Sequence, residues 1–350
     1  MNASPSFANT IVKWFANHGR ALPWRETKDP YAIWLSEIIL QQTRISQGKA
    51  YWERFIHTFP TVDRLASASE DEVLKLWQGL GYYSRARNLH TAAKQIVAMG
   101  QFPTTMEDIR KLKGVGDYTA AAIGSIAFGL PEAVLDGNVY RVLARYFGID
   151  TPINTTQGKK VFSALAQSLL PPKEASVYNQ GMMDFGALQC TPTSPHCLDC
   201  PLAESCEAQR TDRTDSLPVK LKKLKVATRY LTYVYIRHKG KVAIHRRGEG
   251  DIWQGLWEPF NASLHETVST ATSDEIFQML RLNPADAVVS PLARHVKHVL
   301  THRILLADFY LMEAYTVPSL PADYQWIDED NWQQYAVPRL IEIMAERIKT

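Results

Sequence analysis

The sequence predicts a multi-domain chain: an all-α N-terminal domain carrying a four-cysteine loop, then a smaller α+β domain. Three observations carry this. Apolar residues recur at three and four from Thr10 to about Leu188, as in Val12, Phe15 and Ala16 or Val73, Leu74, Leu76 and Trp77. All four cysteines of the chain fall between positions 190 and 206. From Arg229 onward the texture turns β-branched and aromatic. A length of 350 residues suits two domains, and the expected boundaries are 1–210 for the helical domain, 211–228 for a linker and 229–350 for the α+β domain.

The helical part is punctuated by Pro23, Pro30, Pro60, Gly79-Leu80-Gly81, Pro103, Gly114-Val115-Gly116, Pro131 and Pro171-Pro172. Asp29 and Pro30 read as the cap and first position of a helix running toward Thr43. Within it Glu37 follows Trp34 by three residues and falls beside the apolar stripe. A carboxyl desolvated by Trp34 and Ile38 is expected to hold its proton near neutrality; an ordinary flank glutamate is the plainer alternative. Leu112 to Ala120 reads as a hairpin between two helices, with Gly114 and Gly116 permitting left-handed backbone and a small-residue helix following from Thr119 to Phe128. Such a turn can hold a phosphate without reading bases, or be only a tight turn. Asp136 precedes an apolar stripe of Val139, Val142, Leu143, Tyr146 and Phe147. At a helix N-terminus its ionised form is favoured, with simple N-capping as the competing role. One carboxyl kept neutral and another kept ionised is the arrangement that cleaves glycosidic bonds through an oxocarbenium-like state.

Cys190, Cys197, Cys200 and Cys206 are spaced C-x6-C-x2-C-x5-C. Four thiolates in one loop suit Zn²⁺ or an iron–sulfur cluster, and the wide outer spacing favours the larger object. After them Lys220, Lys222, Lys223 and Lys225 crowd a polar stretch. It reads as a basic linker lying along a phosphate backbone, or as a solvated tether. Strands are then expected at 231–236, at 242–244 after the Lys239-Gly240 turn, and at 304–310. Helices are expected at 273–282 and 339–348.

With 39 Lys+Arg against 36 Asp+Glu the net charge is +3, so any nucleic-acid surface must be local. No apolar run reaches the ~18 residues of a membrane span, and Met1 to Ser6 shows no signal-peptide pattern. The expectation is a soluble, intracellular protein without a membrane partner.

Trp34-Leu35-Ser36-Glu37-Ile38-Ile39-Leu40-Gln41-Gln42-Thr43, Gly79-Leu80-Gly81-Tyr82-Tyr83-Ser84-Arg85-Ala86-Arg87-Asn88, Leu135-Asp136-Gly137-Asn138-Val139 and the cysteine spacing together resemble the helix-hairpin-helix DNA glycosylases, and within them the adenine-specific, MutY-type enzymes. The resemblance covers nearly the whole chain. It implies a [4Fe-4S] cluster on the four cysteines, Glu37 as the acid that protonates adenine N7, and Asp136 as the carboxylate that stabilises, or transiently traps, C1′. Asn138 and Tyr118 match supporting positions. Gln42 and Tyr82 match residues that wedge into the duplex, Gly114 and Gly116 the DNA-binding hairpin, and Trp24, Arg25 and Asp184 the surroundings of the adenine pocket. The implied partner is double-stranded DNA with adenine opposite 8-oxoguanine or guanine, bound by a monomer in the bacterial cytoplasm. The cysteine loop is expected to present basic and polar groups to phosphates.

In related endonuclease III-type enzymes a lysine occupies the position of Tyr118; a tyrosine cannot form the Schiff base of a lyase, which implies base removal without efficient strand cleavage. The C-terminal domain resembles a Nudix-type module that recognises 8-oxoguanine. Asp251 to Phe260 matches the approach to a Nudix box, but the glutamates of a catalytic metal site do not follow. Where that family commonly has Phe-Ser-His, this chain has Leu300-Thr301-His302: Thr301 keeps the hydroxyl, while Leu300 cannot stack as phenylalanine does. His295, His298 and His302 read alternatively as strand-end polar packing. The rival functions are a bifunctional endonuclease III-like glycosylase/lyase and a non-catalytic DNA-binding iron–sulfur protein.

Overall fold

The computed structural model describes residues 5–221, 227–264, 266–301 and 303–348. The chain forms two compact units. One comprises Met1–Ser67 with Asn88–Lys222, the other Ala68–Arg87 with Lys223–Thr350. The division at Lys222 lies within the linker anticipated at 211–228, but the sequence pattern does not foretell that Ala68–Arg87 groups with the C-terminal part. Lys222, Lys223 and Lys225 of the basic run, and His302, lie outside the described residues. Among those described, no helix is long and apolar enough to cross a membrane.

The first unit is helical, and most of its breaks fall at the prolines and glycines of the sequence, the turn at Gln41–Arg44 being an exception. The Pro30–Leu40 helix starts with Pro30 at its first turn and the Asp29 side chain accepting the Tyr31 N–H. Tyr31 through Ile39 are all buried. This helix is therefore apolar all round rather than striped, which is how a central helix reads, and Glu37 is carried inside with it. Beside it the Asp117–Phe128 helix buries Thr119 through Ile126. Its small residues admit the neighbouring Met106–Lys111 helix: a Cβ on Gly124 would stand 2.6 Å from Met106 Sδ.

The turn between those two helices uses its glycines unequally. Gly114 has φ +78, and a Cβ there would meet Asn88 Cβ at 2.7 Å, so both backbone angle and space demand glycine. Gly116 caps the next helix at φ −92 with open space around it. The left-handed geometry expected of both belongs to Gly114 alone. The Gly137–Phe147 helix, capped by Asp136, packs with the Ala175–Leu188 helix through Val139, Val142, Leu143, Met182 and Phe185.

The second unit is built on a six-stranded sheet of order β4-β5-β1-β3-β2-β6. The strands are β1 (Ala227–His238), β2 (Lys241–Arg246), β3 (Trp257–Asn261), β4 (Ala287–Val299), β5 (Arg303–Ala314) and β6 (Tyr324–Asp328). β1 and β5 run parallel, from Ala227 opposite Arg303 to Arg237 opposite Glu313, and the other pairs are antiparallel. Both faces of β1 are covered. Leu231, Tyr233 and Tyr235 pack with Leu340, Ile341 and Met344 of the Arg339–Ile348 helix; Val234 and Ile236 pack with Ile276 and Leu280 of the Ser273–Leu280 helix. Burial on both faces explains why 233–236 is a continuous apolar and aromatic run instead of an alternating one.

β4 carries bulges at Pro291/Ala293 and Ala293/Val296. Fully buried Asp308 ties them down, accepting from the His295 N–H at 2.7 Å, Arg294 Nη1 at 3.0 Å and Thr270 Oγ1 at 2.9 Å. His295 is thus a bulge residue, at φ +51, and His298 packs at 6.0 Å from the Trp253 ring.

Candidate active site

Within the first unit, four α-helices and the short helix at Pro23–Arg25 bring together groups far apart in sequence. A cavity of about 490 Å³ is lined by Trp24, Arg25, Glu37, Tyr118, Asp136 and Asn138, all anticipated, and by Arg20, Gln180 and Met183, which were not. Glu37 is 7% exposed, and its Oε2 accepts the Tyr118 hydroxyl proton at 2.9 Å. Burial pushes its carboxyl up from 4.5 to about 7; the Tyr118 hydrogen bond pulls it down, the charge of Asp136 adds to the rise and that of Arg25 opposes it. A carboxyl so placed is a proton donor at neutral pH. Burial and the neighbouring carboxylates raise the Tyr118 phenol well above its ordinary value, so it stays protonated as a donor.

Asp136 is the N-cap of the Gly137–Phe147 helix: Oδ1 accepts the Val139 N–H at 2.8 Å and Oδ2 accepts Asn138 Nδ2 at 2.8 Å. The cap fixes the direction in which the carboxylate points, so capping does not exclude a second role for Asp136. Burial raises Asp136 above its ordinary value against the pull of Val139, Asn138 and Arg141. The helix terminus therefore restrains a rise rather than producing the depressed value that the dipole alone would give. Behind it, Arg141 donates to Asn138 Oδ1 at 2.9 Å, to the Gly186 carbonyl at 2.6 Å and to the Cys190 carbonyl at 2.7 Å. One guanidinium thus connects the partner of Asp136 to the start of the cysteine loop.

Asp184 lies beneath the cavity rather than on its wall, fully buried. It accepts Arg25 Nη1 at 2.8 Å and Nη2 at 2.9 Å, and the Arg20 backbone N–H at 2.9 Å and Nε at 3.0 Å, with Arg20 Nη2 also in contact. Burial alone would raise this carboxyl, but the Arg25 and Arg20 hydrogen bonds leave it below its ordinary value. Its work is to hold two arginines facing the cavity. Trp24, 6% exposed, packs edge-on against Trp52 at 5.7 Å.

Gln42, exposed just after the Pro30–Leu40 helix, sits at φ +54. In the second unit Tyr82 is 46% exposed at φ +47. Left-handed backbone at residues other than glycine costs about 1–3 kcal/mol and clusters at functional sites. There Tyr82 Oη and Thr301 Oγ1 share a hydrogen bond of 2.5 Å, so a wedge candidate and the hydroxyl of the 300–302 stretch meet. Thr301 is exposed and Leu300 half-buried.

The four cysteines line one common cavity together with Arg145. Arg145 Nη1 approaches Cys190 Sγ at 3.4 Å and donates to the Thr191 carbonyl at 2.7 Å; its own carbonyl oxygen lies 3.7 Å from Cys206 Sγ. Burial raises the Cys200 thiol to about 11, so thiolates here need a cationic centre. Among the described residues, no three His, Cys, Asp or Glu side chains are grouped as ligands of a single ion. An all-thiol set around a shared hollow, with a guanidinium at its edge, fits a cluster held by four cysteines. Between Cys190 and Cys206 the loop has no Lys or Arg and carries Asp199 and Glu204, which corrects the expectation that it offers basic groups to phosphates.

Residues 35–172 match the HhH-GPD superfamily of base excision DNA repair proteins, and residues 232–347 match the NUDIX domain family. Adenine DNA glycosylase of Buchnera aphidicola (subsp. Acyrthosiphon pisum) is 35% identical over 72% of this chain and 73% of its own length. The chain belongs to the adenine DNA glycosylase family. The human adenine DNA glycosylase is 40% identical over 61% of this chain and 41% of its own length. Among solved structures, a thermostable thymine-DNA glycosylase aligns with TM-score 0.55 and 32% identity, covering 59% of this chain and 96% of that one. A non-covalent endonuclease III–DNA complex, at 23% identity and TM-score 0.51 over 59% and 95%, shares the fold. This adenine DNA glycosylase is therefore a base-excision repair enzyme, with a helix-hairpin-helix catalytic fold followed by a Nudix-like domain.

Proposed function

We propose that the enzyme removes adenine opposite 8-oxoguanine or guanine in duplex DNA, with Glu37 as the acid for adenine N7 and Asp136 as the carboxylate that steadies the sugar cation. The carrying observation is that one cavity holds Glu37, with a carboxyl raised to about 7, together with a helix-capping aspartate whose oxygens are fixed by Val139 and Asn138. The flipped base enters this cavity, at a cost of a few kcal/mol that a mispair lowers. Trp24, Arg25 and Arg20 form its walls, and Asp184 orients the two arginines. Tyr118 donates to Glu37 and is a phenol where a lyase needs an amine, which supports hydrolysis without β-elimination.

Gln42 and Tyr82 act as the wedges, Gly114 and Gly116 belong to the hairpin that holds the phosphate backbone, and Leu300, Thr301 and His302 read the opposite base. In domain terms, residues 1–210 do the chemistry, 211–228 connect, and 229–350 check the orphaned purine. Cys190, Cys197, Cys200 and Cys206 would hold a [4Fe-4S] cluster, which when bound cross-links the loop. The test is single-turnover excision on duplexes with adenine opposite 8-oxoguanine, guanine, cytosine and thymine. The reading expects fast excision on the first two, with nicks only after alkali; equal rates on all four, or prompt nicking, would overturn it. Iron and sulfide analysis of the purified protein should return four of each per chain.

A further inference from the structure

We propose that Met183 is a site of reversible sulfoxidation by hydroperoxides, and that its oxidation silences the catalytic cavity. The silencing rests on the adenine-excision reading above; the modification itself does not. Met183 lies on the Ala175–Leu188 helix and lines the cavity, half-buried, with Sδ 3.4 Å from the Tyr118 hydroxyl. That hydroxyl has one proton, and it donates it to Glu37 Oε2 at 2.9 Å. The adjacent Met182 is 2% exposed in the core, and Met312 and Met344 are fully buried. Met99 is 44% exposed but belongs to the Ser84–Met99 helix and does not line the cavity. Among the described residues one thioether is reachable from the cavity and also touches the donor of the reacting carboxyl, and beside it stands a shielded neighbour as an internal control.

The chemistry balances with the hydroperoxide as co-reactant. A sulfur lone pair attacks the terminal peroxide oxygen; an S–O bond forms as the O–O bond breaks, sulfur is oxidised by two electrons, and the leaving oxygen takes a proton to become water or an alcohol. A thioether is a weak acceptor, whereas the sulfoxide is polar and chiral. Placed against Tyr118, its oxygen competes with Glu37 for the single phenolic proton and narrows the space for a base. Sulfoxide reductases reverse the change, one enzyme for each epimer.

The experiment exposes the full-length protein to graded hydrogen peroxide and maps each methionine by peptide mass, while adenine excision from an 8-oxoguanine duplex is timed under single turnover. The expected result is that Met183 oxidises well ahead of Met182 and that the rate falls about tenfold or more, tracking the Met183 sulfoxide fraction rather than that of Met99. Treatment with both reductases restores the rate, which they would not do if the loss came from a damaged iron–sulfur cluster. Met183→Leu, compared with its own untreated rate, keeps that rate through the same exposure. Sparing of Met183, a rate indifferent to its oxidation, or parallel loss in Met183→Leu would each overturn the proposal. An untreated protein with no excision would instead defeat the functional reading, and the mass map alone would then decide the modification.

Discussion

Replacing Tyr118 with phenylalanine isolates what sets the acidity of Glu37. The phenol hydrogen bond, 2.9 Å long, stabilises the carboxylate and so holds the Glu37 value down against burial, which has lifted it from 4.5 to about 7. At pH 7 a carboxyl of 4.5 would be about 0.3% protonated and one of 7 about half, so the cavity gives roughly 150-fold more acid. A hydrogen bond to a charged group contributes about 1.5–3 kcal/mol, which at 1.36 kcal/mol per tenfold change moves a titration midpoint by about one to two pH units. On the proposed mechanism excision needs protonated Glu37 and ionised Asp136, so the rate is level between their two values and falls tenfold per pH unit above that of Glu37. In Tyr118→Phe that falling limb should move to higher pH by about one unit, whatever happens to the plateau. Single-turnover rates on an adenine–8-oxoguanine duplex across pH 5.5 to 9.5 read the limb directly. A limb that stays in place, or moves to lower pH, would show that Tyr118 does not tune the acid and that the hydrogen bond is incidental.

Asp136→Asn keeps the cap but loses the charge, so turnover should fall at least about a hundredfold while mismatch affinity, read by fluorescence anisotropy, stays within a few-fold. Arg141→Met severs the connection from Asn138 to the Cys190 carbonyl. Misplacing Asp136 should then slow single-turnover excision between about tenfold and a hundredfold, and an unchanged rate would assign Arg141 to packing alone. Asp184→Asn leaves two arginines, partly exposed themselves, facing a neutral acceptor at a fully buried position; denaturant unfolding should register a loss of about 2–3 kcal/mol, below the ~3–5 kcal/mol of a fully buried pair because water screens the guanidiniums, and a loss under about 1 kcal/mol would show that the aspartate's charge does not hold the arginines in place.

Much of the helical unit was legible in the sequence because proline and glycine mark its breaks. Asp29-Pro30 opens a helix where expected, and Arg339–Ile348 is the helix that the apolar spacing describes. Three strands escaped for local reasons. β3 contains Pro259, β4 contains Pro291 and is bent by bulges around Asp308, and β6 is five residues of mixed polarity. Glu37 and Asp136 were legible as single features, each with a plain structural alternative; what no spacing encodes is that the Pro30–Leu40 helix and the start of the Gly137–Phe147 helix meet at one cavity. Arg20, Gln180 and Met183 were missed although Trp24, Arg25 and Asp184 of the same segments were named, because none of them belongs to a recognisable motif. A usable signal existed for Arg20. Asp184 sits among Gly181, Met182, Phe185 and Gly186 on a buried helix, and a buried carboxylate requires a cation.

The central claim is that Glu37 enters the reaction as a neutral acid. It is tested most directly by titrating that carboxyl, as the infrared difference between the wild-type protein and Glu37→Gln across pH 4 to 9. A carboxylic acid signal that disappears with a midpoint near 7 is the expected result. A midpoint near 4.5 would place an ordinary carboxylate in the cavity at neutral pH and remove the proton donor on which the account depends.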